Sequence, residues 1–446
     1  MYMIKTANNT CSVADTAECE TGTEPGSGTA GKPIKTTVAV IGGGAAGLVA
    51  AATAAESGAR VLLFEKNRVL GCKLRITGKG RCNVTNDCTV QAFMSNVPGN
   101  PRFLWSALDH MSPADTMEMF EHLGVPLKTE RGSRVFPVSD RAGDIAGALA
   151  RRCHAAGVEV IQKKVRKTAP ICDHKFEIYT DDDKYICESV IICTGGMSYP
   201  KTGSDGDGYR MARELGHTVT PLSPSLVPIV CDGDDCRRMQ GLSLKNVGLR
   251  ILPASGGKAV YEDFGEMMFT HFGLSGPMIL SASAHLPDIK PGKYVAHIDL
   301  KPALDHNRLD ARLISDFSKY SNRDFINALG DLLPQKMIET VVLRSAIPPH
   351  QKVNNITREQ RRGVVELLKD FTVKLSHFRP IDEAIVTRGG VCVREIRPGT
   401  MESKIVPGVY FAGEIIDVDA YTGGFNLQIA FSTGALAGYS AATSQI

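Results

Sequence analysis

The chain has 446 residues, of which 43% are hydrophobic and 22% are charged, and its formal net charge is +3. This length exceeds what one ordinary hydrophobic core supports, so we expect two or three domains. A small net charge without a basic stripe disfavours a dedicated nucleic-acid binder. The 12 cysteines form no C-x-x-C pair and no apolar signal segment opens the chain, which predicts free thiols in the cytoplasm.

The first elements in chain order predict a βαβ unit. Residues 1–36 are rich in Thr, Gly, Ser and Glu, which predicts a disordered tail. The apolar run 37–41 predicts a buried strand, the Ala-rich segment 45–57 predicts a helix that ends at Gly58, and residues 60–65 predict the next strand. This order is typical of an α/β fold with a parallel sheet.

The rest of the chain predicts an insertion into that α/β domain. Helical patterns are expected near 102–123 and 142–156, and strands at 158–161, 176–180 and 189–193. Short β-rich runs at 223–302 favour a small barrel or sandwich, residues 304–370 are mostly helical, strands return near Ser376, and 409–438 again predicts strand–turn–helix. We therefore expect a nucleotide-binding domain from 37–222 and 377–446, with an inserted domain at 223–376 that is β-rich (223–302) and then helical (303–376).

A glycine-rich turn follows the first predicted strand. Residues 42–47 read G-x-G-x-x-G, open a helix and precede a second strand that ends in Glu65. This context is typical of dinucleotide binding, because the glycines allow a tight turn, close approach to a pyrophosphate and close helix packing. The Glu65 carboxylate would accept hydrogen bonds from ribose hydroxyls and would repel a 2′-phosphate, which disfavours NADP at this position. Four glycines so early in an apolar segment also argue against a membrane-spanning helix.

The C-terminal part of the sequence decides between FAD and NAD. A predicted strand ends in Gly413 and Glu414, and a Tyr-Thr-Gly-Gly-Phe-Asn turn at 421–426 precedes another helix. That helix would direct its N-terminus at the cofactor, where it would stabilise the negative charge of a reduced flavin. A third strand-to-glycine junction lies at Thr194 and Gly195. This arrangement favours FAD.

At these residues the chain resembles the bacterial BaiN/YhiN-like FAD-dependent oxidoreductases, which include the aminoacetone oxidase type. The resemblance covers nearly everything after residue 36. It is carried by residues 40–47, 77–86, 134–137, 202–208, 268–277 and 410–434.

The resemblance implies a glutathione-reductase-like, Rossmann-type FAD domain with an inserted β-barrel and helical cap, bound FAD and no metal. One departure is Cys72 after Gly71, where many FAD domains have a second glycine. The residues expected to contact FAD are Gly42, Gly44, Ala45, Ala46, Gly47, Glu65, Lys66, Lys73, Gly80, Arg81, Cys82, Asn83, Thr194, Gly195, Gly413, Glu414, Gly424, Asn426 and Leu427.

Three residues are candidates for proton transfer to the substrate. His271 lies in a Thr-His-Phe-Gly loop of the inserted domain, and a histidine can donate a proton near neutral pH. Tyr421 and Tyr199 lie at the mouths of two turns expected to face the flavin. Each could protonate a carbon or anchor a carbonyl.

Three functions remain open from the sequence. The first is NAD(P)H-dependent reduction of a C=C bond conjugated to a carbonyl, in a 3-oxo steroid or bile-acid-like substrate. The second is an amine oxidase of the aminoacetone type, and the third is a non-catalytic FAD sensor or RNA-modification partner. We expect a small-molecule substrate, NAD(P)H as a possible electron donor, and no nucleic-acid or membrane partner. No second complete G-x-G-x-x-G βαβ unit is present for NAD(P)H.

Overall fold

The structure is a computed structural model, and it describes residues 37–171, 175–286 and 288–444. The tail predicted at 1–36 lies outside these residues. In the described part of the chain, no helix combines the length and the apolar character needed to cross a bilayer.

A five-stranded parallel sheet forms the centre of the first core. All of its strands except the edge strand Glu159–Ile161 are almost completely buried, because helices cover both faces of a parallel sheet. The strand order is Val409–Phe411, Ser189–Ile192, Thr37–Ile41, Arg60–Phe64 and Glu159–Ile161. Segments from both ends of the chain therefore meet in one sheet.

Two helices pack tightly on this sheet through small residues. Helix Ala45–Glu56 lies against the 19-residue helix Phe425–Thr443. A Cβ at Gly434 would lie 2.5 Å from the carbonyl oxygen of Ala46, and a Cβ at Gly438 would lie 2.3 Å from that of Ala50. The two backbones approach this closely only because both positions are glycine.

The remaining elements around the sheet are short. The helix predicted over 102–123 is two helices, Trp105–His110 and Pro113–His122, because Ser112 caps a new helix start and Pro113 cannot continue the previous one. The other helices are Cys72–Ile76, Val90–Met94, Ala142–Ala155 and Asp207–Glu214. Two antiparallel sheets contain Thr85–Asn86, Arg134–Pro137 and Leu127–Glu130, and Lys167–Pro170, Phe176–Tyr179 and Lys184–Cys187.

The inserted part of the chain contains a closed six-stranded barrel. Its strands, in spatial order, are Ile229–Cys231, Gly273–Ser275, Tyr261–Phe269, Ser243–Pro253, Tyr294–Asp299 and Phe371–Phe378. The last strand starts at Phe371, so the predicted helical segment 303–376 ends earlier than expected. It pairs with both Ile229–Cys231 and Tyr294–Asp299, and this pairing closes the barrel.

Helices cover this barrel and share its core. They are Asp235–Arg238, Pro277–Ser283, His306–Lys319, Phe325–Ala328, Gln335–Ser345 and Arg358–Lys369. One buried cluster draws its residues from 38–215 and 391–442, and a second draws them from 229–375. A short two-stranded sheet, Ser223–Ser225 with Val386–Arg388, joins the segments that enter and leave the insertion. The predicted domain boundaries stay a prediction.

We expect Gly434→Ala to lower the free energy of unfolding by about 1–3 kcal/mol, because the added methyl group forces two packed helix backbones apart. Urea denaturation measures this change. The control is Gly363→Ala at an exposed position of helix Arg358–Lys369, where an added Cβ meets no atom within 4 Å. That substitution should stabilise by about 0.5–1 kcal/mol. Equal effects of the two substitutions would contradict the packing argument.

Candidate functional site

A cavity of about 330 Å³ lies at the carboxyl ends of the parallel strands. Its walls come from the residues that follow Thr37–Ile41, Arg60–Phe64, Ser189–Ile192 and Val409–Phe411, together with the turn before the last helix. In open parallel sheets, ligands bind at this edge. Segments from the N-terminal and the C-terminal parts of the chain therefore line one cavity.

The first glycine turn forms one wall of the cavity. Gly42 has a φ of 104°, and a Cβ there would lie 2.6 Å from the carbonyl oxygen of Cys193. A Cβ at Gly47 would lie 1.8 Å from the carbonyl oxygen of Gly42, so Gly47 lies beneath the turn and not in the cavity wall. Gly44 differs, because a Cβ there meets no protein atom within 4 Å and would enter open space. The turn thus leaves room for a group that approaches the backbone at Gly44.

The start of helix Ala45–Glu56 is available to an anion. Gly44 is its N-cap and provides no side-chain cap, and the first turn contains no acidic residue. Ala45 and Ala46 both line the cavity. Unpaired N–H groups and the helix dipole at this end favour a phosphate.

Glu65 is the acidic residue at the end of the second strand. Its carboxylate is buried, with 8% of the residue exposed. One oxygen accepts a hydrogen bond from the Gly43 N–H at 2.7 Å and the other from the Asn67 N–H at 2.8 Å. The backbone therefore orients the carboxylate, whose remaining lone pairs can accept from the hydroxyls of a ribose.

Lys66 belongs to a cluster of four charged residues at this end of the cavity. Its ammonium nitrogen lies 2.7 Å from Asp205 and 3.0 Å from Asp207, and Lys164 lies 3.3 Å and 2.7 Å from the same carboxylates. The sequence predicted a cofactor contact for Lys66 and missed its partners. They are 98 and 139–141 positions away, so no local pattern reveals them.

A second ion pair joins the two chain ends. The Lys73 ammonium lies 2.6 Å from a carboxylate oxygen of Glu414, and both residues line the cavity. The other oxygen of Glu414 accepts from the Ser198 hydroxyl and from the Thr387 N–H, each at 2.9 Å. Lys73 and Glu414, both predicted as cofactor contacts, therefore hold the C-terminal segment against the N-terminal one.

The turn before the last helix forms the opposite wall. Gly424 is the N-cap of Phe425–Thr443 with a φ of 99°, and a Cβ there would lie 2.3 Å from the carbonyl oxygen of Thr85. The Asn426 side chain accepts from the Ala420 N–H at 2.9 Å and donates to the Ala420 carbonyl at 2.7 Å. Leu427 also lines the cavity. A second helix N-terminus without a side-chain cap therefore faces the same cavity.

Two buried polar atoms in the cavity wall fit a bound cofactor. The side-chain oxygens of Asn83 and Thr194 have no hydrogen-bond partner among the described residues, and both residues line the cavity beside Gly195 and Gly413. A buried polar atom without a partner is costly, so a ligand is the expected partner. The open space at Gly44, the two helix N-termini and the oriented Glu65 carboxylate fit the phosphates, flavin and ribose of FAD.

Four predicted cofactor residues lie outside the cavity lining: Gly47, which lies beneath the first turn, and three residues of the 77–83 loop. The Arg81 guanidinium donates to Glu130 at 2.5 Å and to Asp140 at 2.6 Å, and it lies 4.2 Å from the centre of the Phe136 ring. Burial raises the pKa of the Cys82 thiol to about 12, so this thiol stays protonated. Gly80 is exposed. These three residues shape the 77–83 loop, of which Thr77, Gly78 and Asn83 do line the cavity.

Of the three predicted proton donors, one lines the cavity and two do not. Tyr421 lines the cavity and is half-buried. His271 is exposed next to Phe272, and Tyr199 is 36% exposed with a φ of 53°; neither lines the cavity. Their catalytic roles stay predictions. Among the three, Tyr421 is the one that this geometry brings to the site.

We expect Gly44→Ala to weaken FAD binding by about tenfold or more, because the methyl group occupies the space that the pyrophosphate needs. The apoprotein should keep its melting temperature, since no protein atom is displaced. Gly47→Ala is the comparison, and it should lower the melting temperature of the apoprotein itself. FAD fluorescence titration and calorimetry measure the two effects. Unchanged FAD affinity in Gly44→Ala would contradict this assignment.

We expect Asp419→Asn to raise the stability of the protein at pH 8 and to leave its stability nearly unchanged at pH 4. Asp419 is 4% exposed, and burial raises the pKa of its carboxyl, although the Ser225 hydroxyl donates to it at 2.7 Å. A raised pKa favours the protonated form, so its stabilising contribution is present at low pH and is lost as the pH rises through the folded-state pKa. Thermal denaturation at both pH values measures this.

The control for this prediction is Asp316→Asn. Asp316 is also buried, but both of its oxygens accept from Arg312, at 3.0 and 2.9 Å. Loss of that ion pair should destabilise the protein at pH 8. If Asp419→Asn instead destabilises the protein at pH 8, the buried Asp419 carboxylate is stabilised by its neighbours and the prediction is wrong.

Comparison with known proteins agrees with this geometry. A 3-ketosteroid-delta4-(5alpha)-dehydrogenase from Rhodococcus jostii RHA1 superimposes with a TM-score of 0.51 at 16% identity, covering 92% of this chain and 97% of that one. This similarity supports the fold alone. The predicted fold class, a Rossmann-type domain with a barrel and helices, is confirmed.

Sequence relatives define the family. A 3-dehydro-bile acid delta(4,6)-reductase from Clostridium scindens is 29% identical over 91% of this chain and 98% of that protein. A ribosomal RNA dihydrouridine synthase from Escherichia coli is 31% identical over 88% of this chain and 95% of that protein. The HI0933-like protein Rossmann domain matches residues 36–440. The chain therefore belongs to the HI0933-like family, and it is an FAD-dependent oxidoreductase.

Proposed function

We propose that this protein reduces a C=C bond conjugated to a carbonyl, in a 3-oxo steroid or bile-acid-like substrate, with NAD(P)H as the electron donor. The observation that carries the proposal is the position of Tyr421 in the cavity wall. Its hydroxyl has no hydrogen-bond partner among the residues that the structure describes, and it shares the cavity with the start of helix Phe425–Thr443. The name of the Clostridium scindens relative supports this substrate class.

The cavity wall around Tyr421 suits an apolar ring system. Leu226, Ile385, Val386 and Val418 line it together with Tyr421. Apolar walls with few polar groups favour a flat hydrophobic ligand, because removing the apolar surfaces of wall and ligand from water is favourable in free energy. The few polar groups then fix the orientation of the ligand. A steroid-like enone has this character.

Tyr421 is the proposed proton donor. Burial and the nearby Asp419 raise the pKa of its hydroxyl, so it stays protonated at neutral pH. A protonated phenol can donate a hydrogen bond to the substrate carbonyl or a proton to the carbon next to it. When bound, FAD supplies the hydride. The N–H groups at Gly424 and at the following helix start would stabilise negative charge on the flavin side.

A second candidate function is reduction of uracil in ribosomal RNA. The uracil C5=C6 bond is also conjugated to a carbonyl, and the Escherichia coli relative is named for this activity. A structural observation favours it as well. Arg131 and Arg134 are exposed on either side of Gly132, and the Asn86 amide donates to the carbonyls of both Gly132 and Gly423. These two arginines therefore flank a segment that the Asn86 amide links to the cavity turn, and their charges would suit RNA phosphates. The sequence-based expectations of no nucleic-acid partner and of a cytoplasmic location both stay predictions.

The amine-oxidase alternative shares the flavin site and differs in its electron acceptor. An oxidase would accept electrons from an aminoketone and transfer them to oxygen. No side chain in the described cavity wall separates this reaction from enone reduction.

We expect anaerobic mixing with NADH or NADPH to bleach the flavin absorbance, and a 3-oxo-Δ4 steroid to restore it with formation of the saturated ketone. Tyr421→Phe should lower the rate of reoxidation by about 10²-fold, the usual contribution of a general acid, and leave bleaching by NAD(P)H unchanged. Stopped-flow absorbance with mass spectrometry of the product measures both half-reactions.

The same reduced protein distinguishes the alternatives. Reoxidation by uridine-containing ribosomal RNA and not by steroids would assign the second candidate. Release of hydrogen peroxide on addition of aminoacetone in air would assign the oxidase. A flavin that stays oxidised with both nicotinamide cofactors would contradict NAD(P)H as the donor, and dithionite reduction would then replace it for the acceptor assays.

A further inference from the structure

Three aromatic rings form a stack that connects the barrel to the cavity. The rings of His285 and Tyr421 have centroids 5.0 Å apart and an interplanar angle of 25°. The rings of Tyr261 and His285 are 4.9 Å apart with an angle of 46°. Tyr261 lies in barrel strand Tyr261–Phe269, and His285 follows helix Pro277–Ser283. The barrel and its helix therefore supply the ring that contacts the proposed proton donor.

The backbone of the Tyr421 loop is fixed from other directions. The Tyr421 N–H donates to the Asn96 carbonyl at 3.0 Å, and Asn426 holds both polar groups of Ala420. The hydroxyls of Ser281 and Thr422 are 3.3 Å apart. None of these contacts involves the phenol ring of Tyr421.

The ring itself is held by packing alone. Tyr421 packs against a small apolar cluster of Leu226, Ala284 and Val386. Its hydroxyl makes no hydrogen bond to any described residue, so no polar contact fixes its direction. His285 is the stacked neighbour in this environment.

His285 contributes a flat ring and no polar contact. Neither of its ring nitrogens has a hydrogen-bond partner among residues 37–171, 175–286 and 288–444. Burial, together with the positive charge of Arg388, lowers the pKa of His285, so the ring is neutral near pH 7. Behind it, Tyr261 is anchored by a hydrogen bond from its hydroxyl to Asp263 at 2.7 Å. The stack thus has one fixed end at the barrel and one end at the cavity.

We propose that His285 is a positioning residue: sandwiched between Tyr261 and Tyr421, it holds the Tyr421 ring so that its hydroxyl meets the substrate. This inference rests on the proposed function of Tyr421. It assigns the inserted barrel a part in the reaction through the orientation of one phenol group. Small losses of alignment at a reacting group are costly to rate, because the reactive geometry is then reached less often.

The test compares His285→Ala with His285→Phe in the FAD-loaded enzyme, with an enone acceptor. His285→Ala should lower kcat by about 10- to 100-fold with KM within about threefold of the wild type, because orientation and not binding is lost. His285→Phe keeps a flat ring and should restore kcat to within about fivefold of the wild type. His306→Ala, an exposed histidine at the start of another helix, is the control and should leave kcat unchanged.

A double-variant cycle tests whether His285 acts through Tyr421. In a Tyr421→Phe background, His285→Ala should lower kcat by less than about twofold further, because the hydroxyl that it orients is already absent. Independent, multiplicative effects would overturn the proposal. Equal losses in His285→Phe and His285→Ala would also overturn it, since the flat ring would then not be the essential feature.

A readout without substrate separates this inference from the proposed function. The ring signals of Tyr421 can be observed by NMR of the FAD-loaded protein with ¹³C-labelled tyrosine and assigned with Tyr421→Phe. They should broaden in His285→Ala, because the ring then samples more than one side-chain orientation, and stay as sharp as in the wild type in His285→Phe. Visible flavin absorbance should be the same in both variants. If the wild type reduces no enone while the NMR result holds, the proposed function fails and the positioning of Tyr421 stands. Tyr421 signals that stay sharp in His285→Ala overturn the positioning itself.

Discussion

The site depends on how closely the protein backbone can approach a dinucleotide at the edge of a parallel sheet. At Gly44, the absence of a side chain leaves space beside the N-terminus of helix Ala45–Glu56. At Gly424, the same absence lets the last helix start directly against Thr85. Both helix N-termini therefore reach one cavity, and a ligand with separate negative regions satisfies both. A pyrophosphate and a reduced flavin are two such regions on one molecule.

The tight packing of the two helices is part of the same constraint. Gly434 and Gly438 let the C-terminal helix lie against Ala46 and Ala50 of the first helix. The ion pair between Lys73 and Glu414 then joins the segments at the cavity. Because these contacts span more than 300 positions, the site forms only when both chain ends are folded together.

Local patterns in the sequence predicted the nucleotide-binding half well. The glycine turn, the helix after it, Glu65 and the C-terminal strand–turn–helix all follow from short-range spacing, and the structure has each of these elements close to its expected bounds. Short-range spacing could not predict contacts between distant segments. The sixth barrel strand, Phe371–Phe378, is defined by its pairing partners, and the carboxylate partners of Lys66 lie more than 130 positions away. Arg81 was expected at the cofactor, but its ion-pair partners Glu130 and Asp140 are 49 and 59 positions away and have no sign in its own motif.

The aromatic residues at the site also show that short-range sequence patterns do not reveal contacts between distant segments. Tyr421 could be singled out because it begins a recognisable glycine turn, whereas His285 has no motif of its own. Its contact with Tyr421 arises where the short sheet at the entry to the insertion brings a barrel helix to the cavity. An isolated histidine in the sequence carries no sign of that contact. Only the three-dimensional arrangement connects the inserted barrel to the proposed reaction.

If the cavity binds both halves of a dinucleotide, it must distinguish FAD from FMN. Isothermal titration of the apoprotein should give an affinity for FAD at least about 100-fold higher than for FMN, because FMN lacks the adenosine ribose that Glu65 would contact and the second phosphate near Gly44. Equal affinity for the two flavins, or no binding of FAD, would show that the cavity is not a dinucleotide site.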